Sequence, residues 1–222
     1  MLNKKAICIN ALSLLTTQYL NPFRPTLPKQ NSMYLFLDTE TSDLPRNWNA
    51  PETDTKNWPR LVQLAWVTAD KSGSITDSQV HLIKPQGFKI AASAQAIHGI
   101  STKFASENGV ELALALNEFL QAADGAKTVI AHNIDFDLKI IGAEFIRTAM
   151  ANPLRKKKLR CTMKESTNYC GIPSSRGFKW PTLEELHHKL FGTGLTQAHD
   201  ASADCLACLK CYFRLKELKV LK

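Results

Sequence analysis

The chain has 222 residues, most simply one domain that is large enough to bury a real core. Hydrophobic residues make up 44% and charged residues 22%, an ordinary globular balance that leaves no room for a coreless chain. The net charge of +8 favours a polyanionic partner, nucleic acid first, over a charge that serves only solubility.

Residues 1–32 are the odd part. Lys4 and Lys5 precede a stretch from Ala6 to Leu20 that faintly resembles a secretory signal. Thr16, Thr17 and Gln18 interrupt it, and no Ala-x-Ala site follows. It is too short and too polar to predict a membrane span, so no membrane partner is expected. Asn21 to Ser32 holds three prolines and reads as loop. Met33 stands just before the first apolar run. Residues 1–32 are therefore expected to be an extension or a mis-assigned start, and residues 33–222 the functional domain. Peptide mass spectrometry of the native protein checks this: no peptide from residues 6–24 is expected, and finding one rejects the idea.

Tyr34–Asp38 reads as a short central strand. Asp43–Arg60 is polar, with three prolines and two tryptophans, and predicts a long loop. Leu61–Thr68 and Gln79–Ile83 are strand candidates joined by a hairpin around Lys71-Ser72-Gly73-Ser74. Leu112, Ala115, Leu116, Phe119 and Leu120 recur with helical period in Val110–Ala123. Thr128–Ala131 is a short strand. Asn133 is expected to cap a helix running to about Met150, with Asp135 favourable at its positive end. Arg155–Arg160 carries five basic residues in six, either a patch for a phosphate backbone or a solvated loop. Pro181 is expected to open a helix that ends near Gly192, and Asp200 to cap the last one. The pattern is α/β, a mixed sheet with helices packed on its faces.

Six cysteines show no disulfide framework. Cys205, Cys208 and Cys211 leave a zinc site open, but the segment lacks a knuckle turn. Buried thiols in a reducing, cytoplasmic setting are the favoured reading.

Four acidic residues stand where apolar ones belong. Asp38 and Glu40 end the first apolar run, and on an extended segment positions i and i+2 face one side. Asp137 shares a helical stripe with Ile141, Phe145 and Thr148. Asp204 shares another with Cys208, Cys211, Leu215 and Leu218, and His199 stands five positions before it. Burying several carboxylates without positive partners is very costly, and a divalent metal ion is the usual remedy. Taken singly, each has a plainer reading: Asp137 as a first-turn carboxylate favoured by the helix dipole, His199 as a loop histidine. His132 reads as structural.

In order, strand-end Asp-x-Glu, helix-start Asn-x-x-Phe-Asp and His-x-x-x-x-Asp near the C-terminus resemble the DEDD superfamily of 3′–5′ exonucleases. The histidine spacing resembles its DEDDh (DnaQ-like) branch, which includes the proofreading subunit of bacterial DNA polymerase III. Ala96-Ile97-His98-Gly99-Ile100-Ser101 and Trp180-Pro181-Thr182-Leu183-Glu184-Glu185-Leu186 add to a resemblance that covers about residues 33–218. It implies a ribonuclease H-like fold, a five-stranded mixed sheet with helices on both faces. It implies Asp38, Glu40, Asp137 and Asp204 as ligands of two Mg²⁺ or Mn²⁺ ions, with His199 as general base. The ligand of the middle motif would be Asp137, not Asp135. Thr41 and Ser42 would hold the terminal nucleotide. The implied reaction releases nucleoside 5′-monophosphates from single-stranded 3′ ends, DNA ahead of RNA, in proofreading, repair or recycling, with a DNA polymerase as a possible partner. An exoribonuclease or oligoribonuclease, and a catalytically weak polymerase accessory module, stay open as alternatives. A ribonuclease H-like endonuclease fits the last two motifs poorly. Trp48 and Trp58 would either stack on unpaired bases or pack their loop, the second favoured.

Overall fold

The computed structural model describes residues 34–195 and 200–221. The expectations for residues 1–32, and the placement of His199, lie outside the described residues. β1 (Tyr34–Thr41) is the middle of a five-stranded sheet in the order β3-β2-β1-β4-β5. β2 (Leu61–Ala69) and β3 (Ile75–Leu82) extend it as antiparallel neighbours, while β4 (Thr128–Ala131) and β5 (Lys158–Cys161) run parallel to β1. The sheet is therefore mixed, as expected. Leu35, Phe36 and Leu37 are all fully buried because both faces of the central strand are covered.

One face packs against α3 (Leu112–Gly125) and α4 (Ile134–Arg147), where Leu35, Leu37 and Val129 meet Phe119, Ile141 and Phe145. The other packs against α7 (Ala201–Glu217), where Phe36 and Ile130 meet Cys205, Cys208 and Tyr212. Two short helices, α1 (Ala92–His98) and α2 (Thr102–Asn108), build a small cluster with Val62 and Leu82. α5 (Thr162–Cys170) and α6 (Leu183–Phe191) lean on the far part of α7 through Cys170, Leu186, Cys211 and Leu215. Between them lies a small hairpin of β6 (Pro173–Ser174) and β7 (Gly177–Phe178). All five described cysteines are buried and free. Among the described residues no helix is long and apolar enough to cross a membrane.

Several local expectations shift. β1 continues three residues past Asp38, because β2 pairs with it as far as Thr41. The basic run is not simply a loop: Pro153–Lys156 forms a 3-10 turn and Lys158–Cys161 forms edge strand β5. Charge on an edge strand also discourages pairing with another chain. Asn133 precedes α4 in the left-handed region (φ 69°), and its side chain makes no capping bond. The helix stops at Arg147, three residues early. Thr182, not Pro181, begins α6: its hydroxyl accepts from Glu185 N, and Glu185 returns the bond to Thr182 N, a capping box. Leu218 falls beyond α7 and is exposed, so the buried stripe ends at Leu215. The Lys71–Ser74 hairpin forms as expected, with the Asp70 carboxylate accepting from Ser72 N and Ser74 N.

The long loop after β1 is strapped to α4. Glu144, fully buried, accepts from Arg60 Nε and Leu61 N at 2.9 Å each and lies 2.8 Å from Arg147 Nη1. Arg147 Nη2 also donates to Trp58 O at 2.7 Å. Gly142 makes room for the strap, since a Cβ there would collide with the Glu52 carboxyl. Trp58 is buried and packs the loop, and Trp48, 55% exposed, rests one side of its ring on Phe136 of α4. Removing Glu144 would leave two arginines uncompensated, a loss of about 3–5 kcal/mol. Glu144→Ala should lower the melting temperature by roughly 10 °C. Thermal denaturation checks it, and an unchanged midpoint would show that the strap does not hold the fold.

Candidate active site

The end of β1 is where the sheet's interior opens to solvent. Asp38 and Glu40 project from the face that α7 covers, on the same side as Phe36. α7 is fixed against that face at its start. Asp200 caps it by accepting from Ser202 N and Ala203 N at 3.0 Å, and Ala201 N donates to the buried Gln63 of β2. One turn in, Asp204 completes the cluster. Asp38, Glu40 and Asp204 each offer a carboxylate oxygen, all within 4.8 Å of one another. Hard oxygen donors in such a group suit Mg²⁺ or Mn²⁺.

Asp137 comes from the other face. It is buried in the first turn of α4, and its Oδ1 accepts from the Thr39 hydroxyl at 2.8 Å. The structure thus unites three of the four expected ligands and sets the fourth behind them, turned toward Thr39. Asp135 points elsewhere: it is exposed and ion-paired with Lys164.

The group is electrostatically frustrated. Burial, then the neighbouring charges of Asp137, Glu40, Asp204 and Asp200, raise the Asp38 carboxyl well above the ordinary range. Burial, then Asp204, Asp137 and Asp200, push Glu40 up to about 8. Burial lifts Asp137 to about 7 against the lowering effect of its Thr39 hydrogen bond. Without a cation, protons must neutralise this site; a divalent cation would replace them.

Thr41 and Ser42 sit at the rim, both buried. Thr41 Oγ1 donates to Asp43 O at 2.7 Å, and Ser42 Oγ accepts from Arg60 N at 3.0 Å. A residue given no role from sequence, His98, holds this corner. Its Nδ1 accepts from Ile100 N at 3.1 Å, so Nε2 carries the proton and donates to Thr41 O at 3.2 Å. The Gly99 bend after α1 was the visible signal, but its contact 57 residues away was not. His132 is structural, as expected. Its Nε2 donates to Pro181 O, Nδ1 accepts from the Thr162 hydroxyl, and burial pushes its pKa down to about 4.

The family model for exonucleases (RNase_T) matches residues 35–212. No curated protein matches the chain significantly. Among solved structures, E. coli exonuclease I in complex with a dA16 oligonucleotide superposes with a TM-score of 0.67 at 20% identity, over 85% of this chain and 42% of that chain. The zinc-bound E. coli exonuclease I–single-stranded DNA complex gives 0.66 at 22%, over 85% and 42%. A product-bound exonuclease I gives 0.66 at 20%, over 86% and 45%. The chain spans less than half the length of these proteins, and the likeness is one of fold.

Carboxyls with raised pKa bind protons on folding that the unfolded chain releases. Metal-free stability should therefore fall as pH rises from the unfolded value near 4 to about 8. Asp38→Asn removes one charge. In chelator near pH 8 it should melt above wild type by several degrees, with the gap closing by about pH 5. Added Mg²⁺ should favour wild type and reverse the order. A variant that melts at or below wild type in chelator near pH 8 would refute the strained cluster.

Proposed function

Because the chain belongs to the exonuclease family, we propose that it hydrolyses the terminal phosphodiester at the 3′ end of a single nucleic-acid strand, DNA in preference to RNA, and releases nucleoside 5′-monophosphates. The observation that carries this reading is the meeting of Asp38, Glu40 and Asp204 at one point, with Asp137 buried beside them. The DNA-bound state of the similar E. coli exonuclease I supports the choice of substrate.

Asp38, Glu40, Asp204 and, on turning from Thr39, Asp137 would hold two divalent cations, Mg²⁺ or Mn²⁺. Such ions acidify an attacking water and neutralise charge on the phosphate and the leaving 3′ oxygen. The carboxylates would hold those ions at the end of β1, and the positive charge so fixed would bind the phosphate for attack from the side opposite the leaving oxygen. Water forms the new phosphorus–oxygen bond, and the bond to the 3′ oxygen of the shortened strand breaks. His199, which directly precedes the helix cap Asp200 in sequence, takes the proton lost by the water, as an imidazole can near neutral pH. A proton from solvent completes the 3′ hydroxyl. The corner of Thr41, Ser42 and His98 borders the terminal nucleotide. Contacts there reach sugar and phosphate, which carry no base identity, so cleavage is sequence-tolerant.

A time course on matched 5′-labelled DNA and RNA single strands tests the reading. Wild type with Mg²⁺ should give a ladder shrinking from the 3′ end, faster on DNA, and chelator should stop it. Asp38→Ala and Asp137→Ala should abolish the ladder, and His199→Ala should slow it by about 10²–10⁴-fold. Asp135→Ala should keep it. A folded wild-type protein inert with Mg²⁺ and Mn²⁺ rejects the proposal, and a faster ladder on RNA reassigns the substrate.

A further inference from the structure

Between α5 and α6, the β6–β7 hairpin projects with every residue from Pro173 to Trp180 exposed. Ser174 pairs with Gly177 and Pro173 with Phe178, and Gly177 holds the turn at φ 106°, a conformation other residues rarely adopt. Phe178 is 52% exposed and Trp180 60%. Two large aromatics so near each other in solvent give up burial that most such side chains obtain.

This element is not a loose tongue. Lys179 N donates to Ile172 O at 2.9 Å, closing the hairpin at its base. Lys179 Nζ reaches Glu185 Oε1 at 2.6 Å. Lys164 of α5 sits 5.8 Å from the centre of the Trp180 ring while pairing with Asp135 of α4. Next to Trp180, the carbonyl of Pro181 accepts from His132 Nε2 at 3.0 Å. That last contact fixes where the hairpin lies. β1 and β4 are parallel and paired from Tyr34–Thr128 to Phe36–Ile130, so His132, just past the end of β4, lies at the end of the sheet toward which β1 runs on to Asp38 and Glu40. The base of the hairpin is therefore tied to the same end of the sheet as the acidic cluster.

We infer that Phe178 and Trp180 form a stacking platform for unpaired bases of the strand whose 3′ end enters the acidic cluster. The inference rests on the exonuclease reading above for the identity of that strand. Every base presents a π-face, so such a platform binds without sequence preference, as an enzyme that removes one nucleotide after another requires. Lys164, paired with Asp135, lies over the Trp180 ring, and Arg176 stands in the turn of the hairpin, positive charge that suits a polyanionic strand.

The test compares wild type with a Phe178→Ala/Trp180→Ala double variant. Both side chains are exposed, so the variant should keep the wild-type melting temperature. Ile75→Ala, an exposed apolar residue at the opposite end of the sheet, serves as control. Binding is read by fluorescence anisotropy in chelator, where no turnover occurs, on a dinucleotide, a single strand of about sixteen nucleotides and a blunt duplex. The double variant should bind the long single strand at least about tenfold more weakly, since each stacked base contributes about fivefold or more. Dinucleotide and duplex binding should not change, and KM on the long strand should rise by the same factor with Mg²⁺. Unchanged affinity for the long strand overturns the inference even if the enzyme degrades DNA. Equal weakening for the duplex overturns it too, because paired bases have no free face to stack. If wild type binds long single strands through these rings but cleaves nothing, the platform stands and the exonuclease reading falls.

Discussion

Mutual repulsion among the carboxylates at the end of β1 is the constraint around which this fold is arranged. Asp38 and Glu40 stand half-buried near the end of the central strand, where the sheet begins to open to solvent but charge is still expensive. Asp204 arrives from α7 on one face to join Asp38 and Glu40, and Asp137 comes from α4 on the other face, held by the Thr39 hydroxyl. An arrangement that raises carboxyl pKa values toward neutrality destabilises the metal-free protein. A divalent cation bound there would relieve that repulsion.

Such a site needs a rigid frame. On the α4 side the frame is the Glu144, Arg60 and Arg147 group, which ties the loop following β1 to the helix carrying Asp137. On the α7 side, Gln63 of β2 holds the first residue of the helix, whose end Asp200 caps. At the rim, His98 joins the α1 bend to the backbone of Thr41. Each tether links residues far apart in sequence to the last residues of β1 or their immediate neighbours. Positional accuracy there depends on buried polar contacts more than on the apolar core, which only sets the layers.

Exposed aromatic and basic residues lie around this end of the sheet. Trp48 of the strapped loop packs on Phe136 of α4, and Phe178 and Trp180 stand exposed on the β6–β7 hairpin and just after it. The basic residues of β5 lie at the sheet's edge, where Arg160 is engaged by Glu165. Nucleic-acid contact through aromatic rings and backbone charge demands no particular sequence.

The amino-acid sequence by itself determined the class of chemistry. Any one carboxylate on an apolar strand or helix stripe has a plainer reading, but four of them in that order, with a histidine five positions before the last, point to metal chemistry without any coordinates. Periodicity also placed β4 to the residue, and the long helices α3, α4 and α7 within a few residues, because their apolar faces are long and regular. It missed α1, α2 and α5, whose few turns carry little pattern, and it missed β5, whose residues read as solvated charge until a neighbouring strand pairs with them. Only the tertiary structure decided that Asp38, Glu40 and Asp204 meet while Asp137 turns to Thr39, that Glu144 anchors the loop, and that the hairpin stands at the active end of the sheet. These are contacts between residues tens to more than a hundred positions apart. Local propensity acts over a few residues, so the packing of layers alone brings such partners together.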